Sequence, residues 1–205
     1  MLASNLDKNK YKNICIIDAN AKLAPKIKVS GGAKCNITNE LVTCKNYLGD
    51  TQFVKELLEK FSKDDLLAFL NKNGVFPKIN PKIVKGTYFC DSSQDVIDMF
   101  TKLTTHVKKY LNTTVLDIEF NKHYKIKTDT KLIEAKKVVV ASGGLSYAML
   151  GASGIGFDIA KKFGHTINKL EPALVGFTVQ KEQFWFKNLS GLSTPVFTFV
   201  DGKTF

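Results

Sequence analysis

The 205-residue chain is 44% hydrophobic and 24% charged, enough to bury one substantial core and the beginning of a second. No run approaches the roughly 20 apolar residues that cross a bilayer, and the N-terminus lacks the basic-then-apolar layout of a secretory signal, which points to a cytoplasmic protein without a membrane partner. Its formal charge of +11 comes from lysine alone. Arginine, whose planar fork suits base and phosphate recognition, is absent, so the charge reads as solvated surface; a basic nucleic-acid-binding module is an alternative resting on net charge only.

In chain order, Leu2 to Asp7 read as the tail of a helix, and Asn13 to Asp18 as a short buried parallel strand ending in an acid. A glycine-rich loop runs from Ser30 to Asn39. Two amphipathic helices follow over Thr51 to Phe61 and Lys63 to Asn73, the second with Ser62 and Asp65 at its cap and Gly74 as its stop. A further helix starts at Ser92 or Ser93 and carries an apolar stripe from Val96 through Leu111. Thr114 to Phe120, Tyr124 to Thr128 and Leu132 to Ala135 predict a β-meander. Lys137 to Ala141 predicts a second buried parallel strand that runs into Ser142-Gly143-Gly144, and Gly154 to Phe163 a last helix stopped by Gly164. Beyond Pro172 come short β runs that suggest a second, strand-rich domain over 173–205. Asp201-Gly202 is a turn signal with nothing after it to pair against, as if the chain were cut off there.

Three places carry candidate chemistry. Asp18 ends its strand where a carboxylate could accept hydrogen bonds from ribose hydroxyls, although a strand-ending Asp also serves simply to start a loop. The stretch from Lys28 to Asn39 places Gly31 and Gly32 beside hydroxyl, amide and ammonium donors, which suits a diphosphate or a flavin edge and equally an ordinary polar loop. The small residues from Ala141 to Gly144 lie at a strand's carboxyl end, where open α/β sheets bind ligands, and Gly151, Gly154 and Gly156 follow; a tight turn with close helix packing is the other reading. The four cysteines show no metal-ligand spacing and read as reduced thiols, Cys35 as a buried one inside the glycine loop. His106 and His123 fall among lysines as bystanders, and His165 follows a helix end, where it suits exposed carbonyls.

Taken together, the stretch Ser30-Gly-Gly-Ala-Lys-Cys-Asn-Ile-Thr-Asn39, the stretch Ala141-Ser-Gly-Gly-Leu-Ser-Tyr147 with its following glycines, and Gly164-His165 with Pro172 resemble one family. It is that of bacterial NAD(P)/FAD-dependent oxidoreductases of the aminoacetone-oxidase-like or bile-acid-dehydrogenation-reductase-like kind. The resemblance implies an α/β, glutathione-reductase-type FAD-binding (Rossmann-like) domain over 1–172, with a β-meander, followed by the start of a β-rich inserted substrate domain over 173–205. It implies that Asp18 contacts the FAD ribose and that Val115 meets the adenine through its backbone. Lys26 and the loop of Ser30, Gly31, Gly32, Ala33, Cys35 and Asn36 would border the diphosphate and flavin, and Ala141, Ser142, Gly143 and Gly144 would back the cofactor. The implied activity is hydride transfer through the flavin to or from a small organic substrate, with NAD(P)H as a possible co-substrate, no specific nucleic acid, and no assigned catalytic base or oligomeric state.

The chain departs from the family at Ala33 and Lys34, where a glycine and an arginine are usual, at Ala148, where proline is usual, and at Ile155, where aspartate is usual. Because the family's Gly-x-Gly-x-x-Gly turn precedes the residues equivalent to Met1 to Asp7, the chain reads as a fragment that alone would hold FAD weakly. A non-functional remnant of such a flavoprotein is the corresponding alternative.

Overall fold

The computed structural model describes residues 1–79, 86–172, 180–182, 197 and 199–204. The chain forms two compact units, the first comprising Met1–Cys35, Lys72–Val75 and Cys90–Leu170, the second Asn36–Asn71, Phe76–Phe89 and Glu171–Phe205. Both mix helices and strands.

In the first unit, helix α1 (Leu2–Asn5) precedes strand β1 (Cys15–Ile17). β1 pairs in parallel with a strand that the apolar pattern had folded into a helix. That helix was expected to carry its stripe to Leu111, but it ends at Leu103, where Thr104 turns its hydroxyl back onto the Phe100 carbonyl at 2.6 Å. Such back-bonding by a β-branched residue weakens the last turn. Lys108–Tyr110 then continues as an extended segment beside β1, with Cys15 opposite Lys108 and Ile17 opposite Tyr110. β1 itself is not buried: Cys15 is exposed and Ile16 and Ile17 are half-buried.

Helix α2 (Pro25–Val29) starts with Pro25, whose missing N–H costs nothing in a first turn. The expected loop from Ser30 to Asn39 divides, since only Ser30 to Cys35 turn and Asn36–Asn39 is β2 in the second unit. Still in the first unit, α5 (Ser93–Leu103) packs on α2, and its first residue donates a 3.3 Å hydrogen bond from Ser93 Oγ to the Lys28 carbonyl. The strand Lys108–Tyr110 is β5. The meander follows as β6 (Val115–Asn121), β7 (His123–Thr128) and β8 (Leu132–Ala135), antiparallel in that order as expected. Helix α6 (Ile155–Lys162) lays Ile155 and Ile159 on the meander, where Ile118, Ile126 and Ile159 are the buried centre of the core. At about 25 cal/mol per Å² of apolar surface, each such side chain contributes on the order of 1.5 to 3 kcal/mol.

One expected strand is absent. Lys137 to Ala141 forms no strand and pairs with no described strand, and Val139 and Val140 are 65% and 46% exposed. An apolar run becomes a strand only where a neighbour completes its hydrogen-bond ladder.

In the second unit, β2 (Asn36–Asn39), β3 (Lys78–Ile79) and β4 (Thr87–Phe89) form an antiparallel sheet in the order β2-β4-β3. Helices α3 (Thr51–Lys60) and α4 (Lys63–Lys72) lie where the periodicity predicts them. At the start of α4 the reciprocal cap forms, with the Asp65 N–H donating to Ser62 Oγ at 3.1 Å and the Ser62 N–H to the Asp65 carboxylate at 2.8 Å. The expected β-rich segment over 173–205 lies mostly outside the described residues. At its end, β9 (Phe199–Val200) and β10 (Lys203–Thr204) pair as a hairpin, so the Asp201-Gly202 turn does have a partner strand after it. Asp201 and Gly202 both take positive φ, +49° and +76°, as a tight two-residue hairpin turn demands.

Candidate functional site

The site is built from three segments of the first unit: the end of β1, α2 with the turn after it, and the stretch from Ala141 to Gly156. The β1 end is organised by a residue that the sequence did not single out. Asp18 Oδ1 accepts from the Asn20 backbone N–H at 2.9 Å and from Asn20 Nδ2 at 3.0 Å. The same Nδ2 donates to the Leu150 carbonyl at 3.2 Å, which ties the strand end to the short helix Ala148–Leu150. Asp18 Oδ2 has no protein hydrogen-bond partner among the described residues. The Asp18 carbonyl accepts from the Thr113 N–H at 3.0 Å, and the Asn20 carbonyl from the Asn112 N–H at 3.1 Å. The segment leading to Val115 therefore runs beside Asp18, while the Val115 side chain packs against the meander core.

Behind α2 the chain makes a left-handed turn. Gly31, Gly32, Ala33 and Cys35 take φ of +58°, +63°, +69° and +53°, with the Cys35 N–H donating to the Ser30 carbonyl at 3.0 Å. The turn is fixed from outside by the N–H of Ser93 on the Ala33 carbonyl and that of Cys90 on the Lys34 carbonyl, both 2.8 Å. The N–H groups of Gly31, Gly32 and Ala33 find no acceptor among the described residues and lie on an exposed turn. Ala33 sits in a region that costs an L-residue about 1 to 2 kcal/mol. A glycine there would carry no such strain.

The third segment closes on the second. A Cβ placed on Gly143 would stand 4.0 Å from the Lys26 ammonium, so Gly143 and Lys26, the latter named only by the family resemblance, are neighbours. A Cβ on Gly156 would run into Ser142 Oγ. Ala141, Ser142 and Gly143 are exposed, and Leu145, Tyr147 and Met149 beside them are 53%, 63% and 90% exposed. Ile155, which stands where the family usually has aspartate, packs against the meander core.

Asn36 opens β2 in the second unit, opposite Phe89. Cys35 is buried, and burial pushes its thiol pKa up. His165 is exposed, its backbone N–H closing α6 on the Ala160 carbonyl. His106, read as a surface bystander, is instead half-buried beyond the end of α5, with both ring nitrogens shielded from solvent and unpartnered.

The residues present fit a dinucleotide cofactor. A half-buried carboxylate with one unpaired oxygen stands at a strand end, three unpaired amides and an ammonium could serve as donors for a diphosphate, and exposed apolar side chains lie beside small residues. The comparisons agree with that fit, since residues 1–197 match the family described as HI0933-like protein Rossmann domain. The chain belongs to this family.

Among the family's curated proteins, the chain is 31% identical over 207 residues to the ribosomal RNA dihydrouridine synthase of Haemophilus influenzae, covering 95% of this chain and 50% of that protein. It is 32% identical over 212 residues to the protein of the same name from Escherichia coli K12, covering 100% and 52%. To the 3-dehydro-bile acid delta(4,6)-reductase of Clostridium scindens it is 29% identical over 178 residues, covering 83% and 42%. The chain thus spans about half the length of the curated relatives it matches. Membership of the HI0933-like family supports the Rossmann-like α/β reading.

Proposed function

We propose that the chain is the FAD-binding half of a flavin-dependent reductase that adds two electrons and protons across a carbon–carbon double bond. The observation that carries this reading is the convergence of the Asp18–Asn20 strand end, the Lys26-to-Cys35 turn and the Ala141-to-Gly156 stretch within one unit. Asp18 would take the ribose hydroxyls. Lys26 and the amides of Gly31 to Ala33 would take the diphosphate, and Ala141 to Gly144 would lie under the ring system. When bound, the flavin supplies the hydride. The protein's part is to hold the cofactor, neutralise its phosphates and keep its reactive face accessible.

The relatives' names, a dihydrouridine synthase and a delta(4,6)-reductase, both describe loss of unsaturation. The two dihydrouridine synthase relatives favour ribosomal RNA as the substrate; the lysine charge, read as solvated surface, would add only phosphate attraction without base readout. A small unsaturated ketone is the second reading, favoured by the bile-acid relative and by the apolar surface at Leu145, Tyr147 and Met149.

The test is to reduce the full-length gene product with NADPH without oxygen and follow bleaching of the flavin band. Reoxidation is then measured with ribosomal RNA transcripts or with a conjugated dienone steroid. Reoxidation by RNA, with dihydrouridine detected by mass spectrometry, supports the first reading, and reoxidation by the steroid alone supports the second. A protein that neither substrate reoxidises contradicts the reductase reading.

A further inference from the structure

Two of the four cysteines stand together where the chain leaves the first unit and returns to it. Cys35 is the last residue before the 36–71 segment, and Cys90 the first after the 76–89 segment. Asn36 and Phe89 are directly paired between β2 and β4, and the Cys90 N–H donates to the Lys34 carbonyl at 2.8 Å. The two chains therefore stay in contact one residue beyond the sheet, where the Cys90 N–H bonds the carbonyl of the residue just before Cys35. Both side chains are buried, Cys35 at 5% and Cys90 at 4% exposure. Burial first and the neighbouring Cys35 second push the Cys90 thiol pKa up to about 11, which sets the two sulfurs near each other. The other two cysteines differ: Cys15 is exposed beside Lys108 and Lys131, and Cys44 lies in the second unit.

We propose that Cys35 and Cys90 form a redox-active dithiol, whose disulfide staples the left-handed turn after Ser30 to the chain entering α5. The step is thiol–disulfide exchange with a low-molecular-weight disulfide such as glutathione disulfide. One cysteine loses its proton and attacks, releasing one glutathione thiol and leaving a mixed disulfide. The second cysteine loses its proton and displaces the other glutathione. One protein S–S bond forms, the oxidant's S–S bond breaks, and two electrons pass to the two glutathione thiols. The buried thiols react as the exposed Gly31-to-Lys34 turn opens, so the exchange is slow and quickens as pH rises towards the thiol pKa values.

The bond holds the turn that carries the unpaired amides of Gly31 to Ala33. It also closes a ring over residues 36–89 at its root, which reduces the freedom of the unfolded chain.

The native protein is incubated with glutathione disulfide in mildly alkaline buffer, alkylated, digested without reductant and mapped by mass spectrometry. The expected result is a cross-linked peptide joining Cys35 to Cys90, lighter than the two thiol peptides by two hydrogens and split by a phosphine reductant. Its rate of appearance should rise with pH, and thermal unfolding of the oxidised protein should occur at higher temperature. Alkylated Cys35 and Cys90 after exhaustive oxidation, with glutathione only on Cys15 or Cys44, would overturn the assignment. So would a cross-link joining any other pair. Because the wild-type protein is used, the outcome does not depend on a variant that folds.

Discussion

Gly151 holds φ at +84°, and a Cβ there would meet Asn20 Nδ2 at 2.7 Å, the same nitrogen that bonds Asp18 and Leu150. Gly151→Ala should therefore both strain the backbone and push Asn20 off the Asp18 carboxylate, with a loss on the order of 1 to 3 kcal/mol read by chemical denaturation. An unchanged midpoint would mean that Asn20 moves aside freely. At Ala33 the sign reverses. Ala33→Gly removes a left-handed alanine and should raise stability by about 1 kcal/mol, less the entropy that glycine adds to the unfolded chain. The sequence singled out Asp18 as a strand-ending acid and Gly143 as one of a glycine pair, and the family resemblance added Lys26, each as a separate signal. Asn20 was not legible there. Nothing marks a loop asparagine two residues after a strand until the fold brings a carbonyl from residue 150 beside it.

At the scale of elements, caps and periodicity were the reliable part of the sequence. The helix at Ser93 begins where Ser92 accepts from the Gln94 N–H at 3.1 Å, and Ser92→Ala should cost about 1 kcal/mol in thermal or denaturant unfolding. α3, α4, the meander and α6 followed from the same kinds of signal. Lys137 to Val140 and Lys108 to Tyr110 went wrong in opposite directions, one apolar without a ladder and one lysine-rich with a ladder. Strand identity depends on a partner distant in sequence, which local composition does not report. The meander and α6 are also joined by an ion pair, Lys162 Nζ to Asp117 at 2.6 Å, and the hydrogen bond from Lys162 holds the Asp117 carboxyl below its ordinary pKa. A lowered carboxylate pKa contributes stability above the unfolded value, near 3.9, that is lost as pH falls through the folded value. Asp117→Asn should thus flatten the acid limb of the stability profile and leave neutral pH little changed, because both side chains are partly exposed and solvent screens the pair. An acid limb identical to that of the wild type would show the pair to be without effect.

For the whole molecule, the fold class was legible because alternating helix and strand signals with glycine-rich strand ends suit few architectures. The substrate was not, since two glycine segments and a carboxylate specify a cofactor and say nothing about what approaches its other face. The proposed FAD site of the first unit would be anchored at Asp18. It is tested most directly by titrating FAD into the full-length gene product and its Asp18→Ala variant, with fluorescence quenching as the readout. The account predicts a yellow wild-type protein and a variant that folds normally but binds FAD more weakly by about 1.5 to 3 kcal/mol, roughly 10- to 150-fold, as expected for losing a hydrogen bond to a charged group. A colourless protein that FAD cannot reconstitute, or a variant with unchanged affinity, would contradict it.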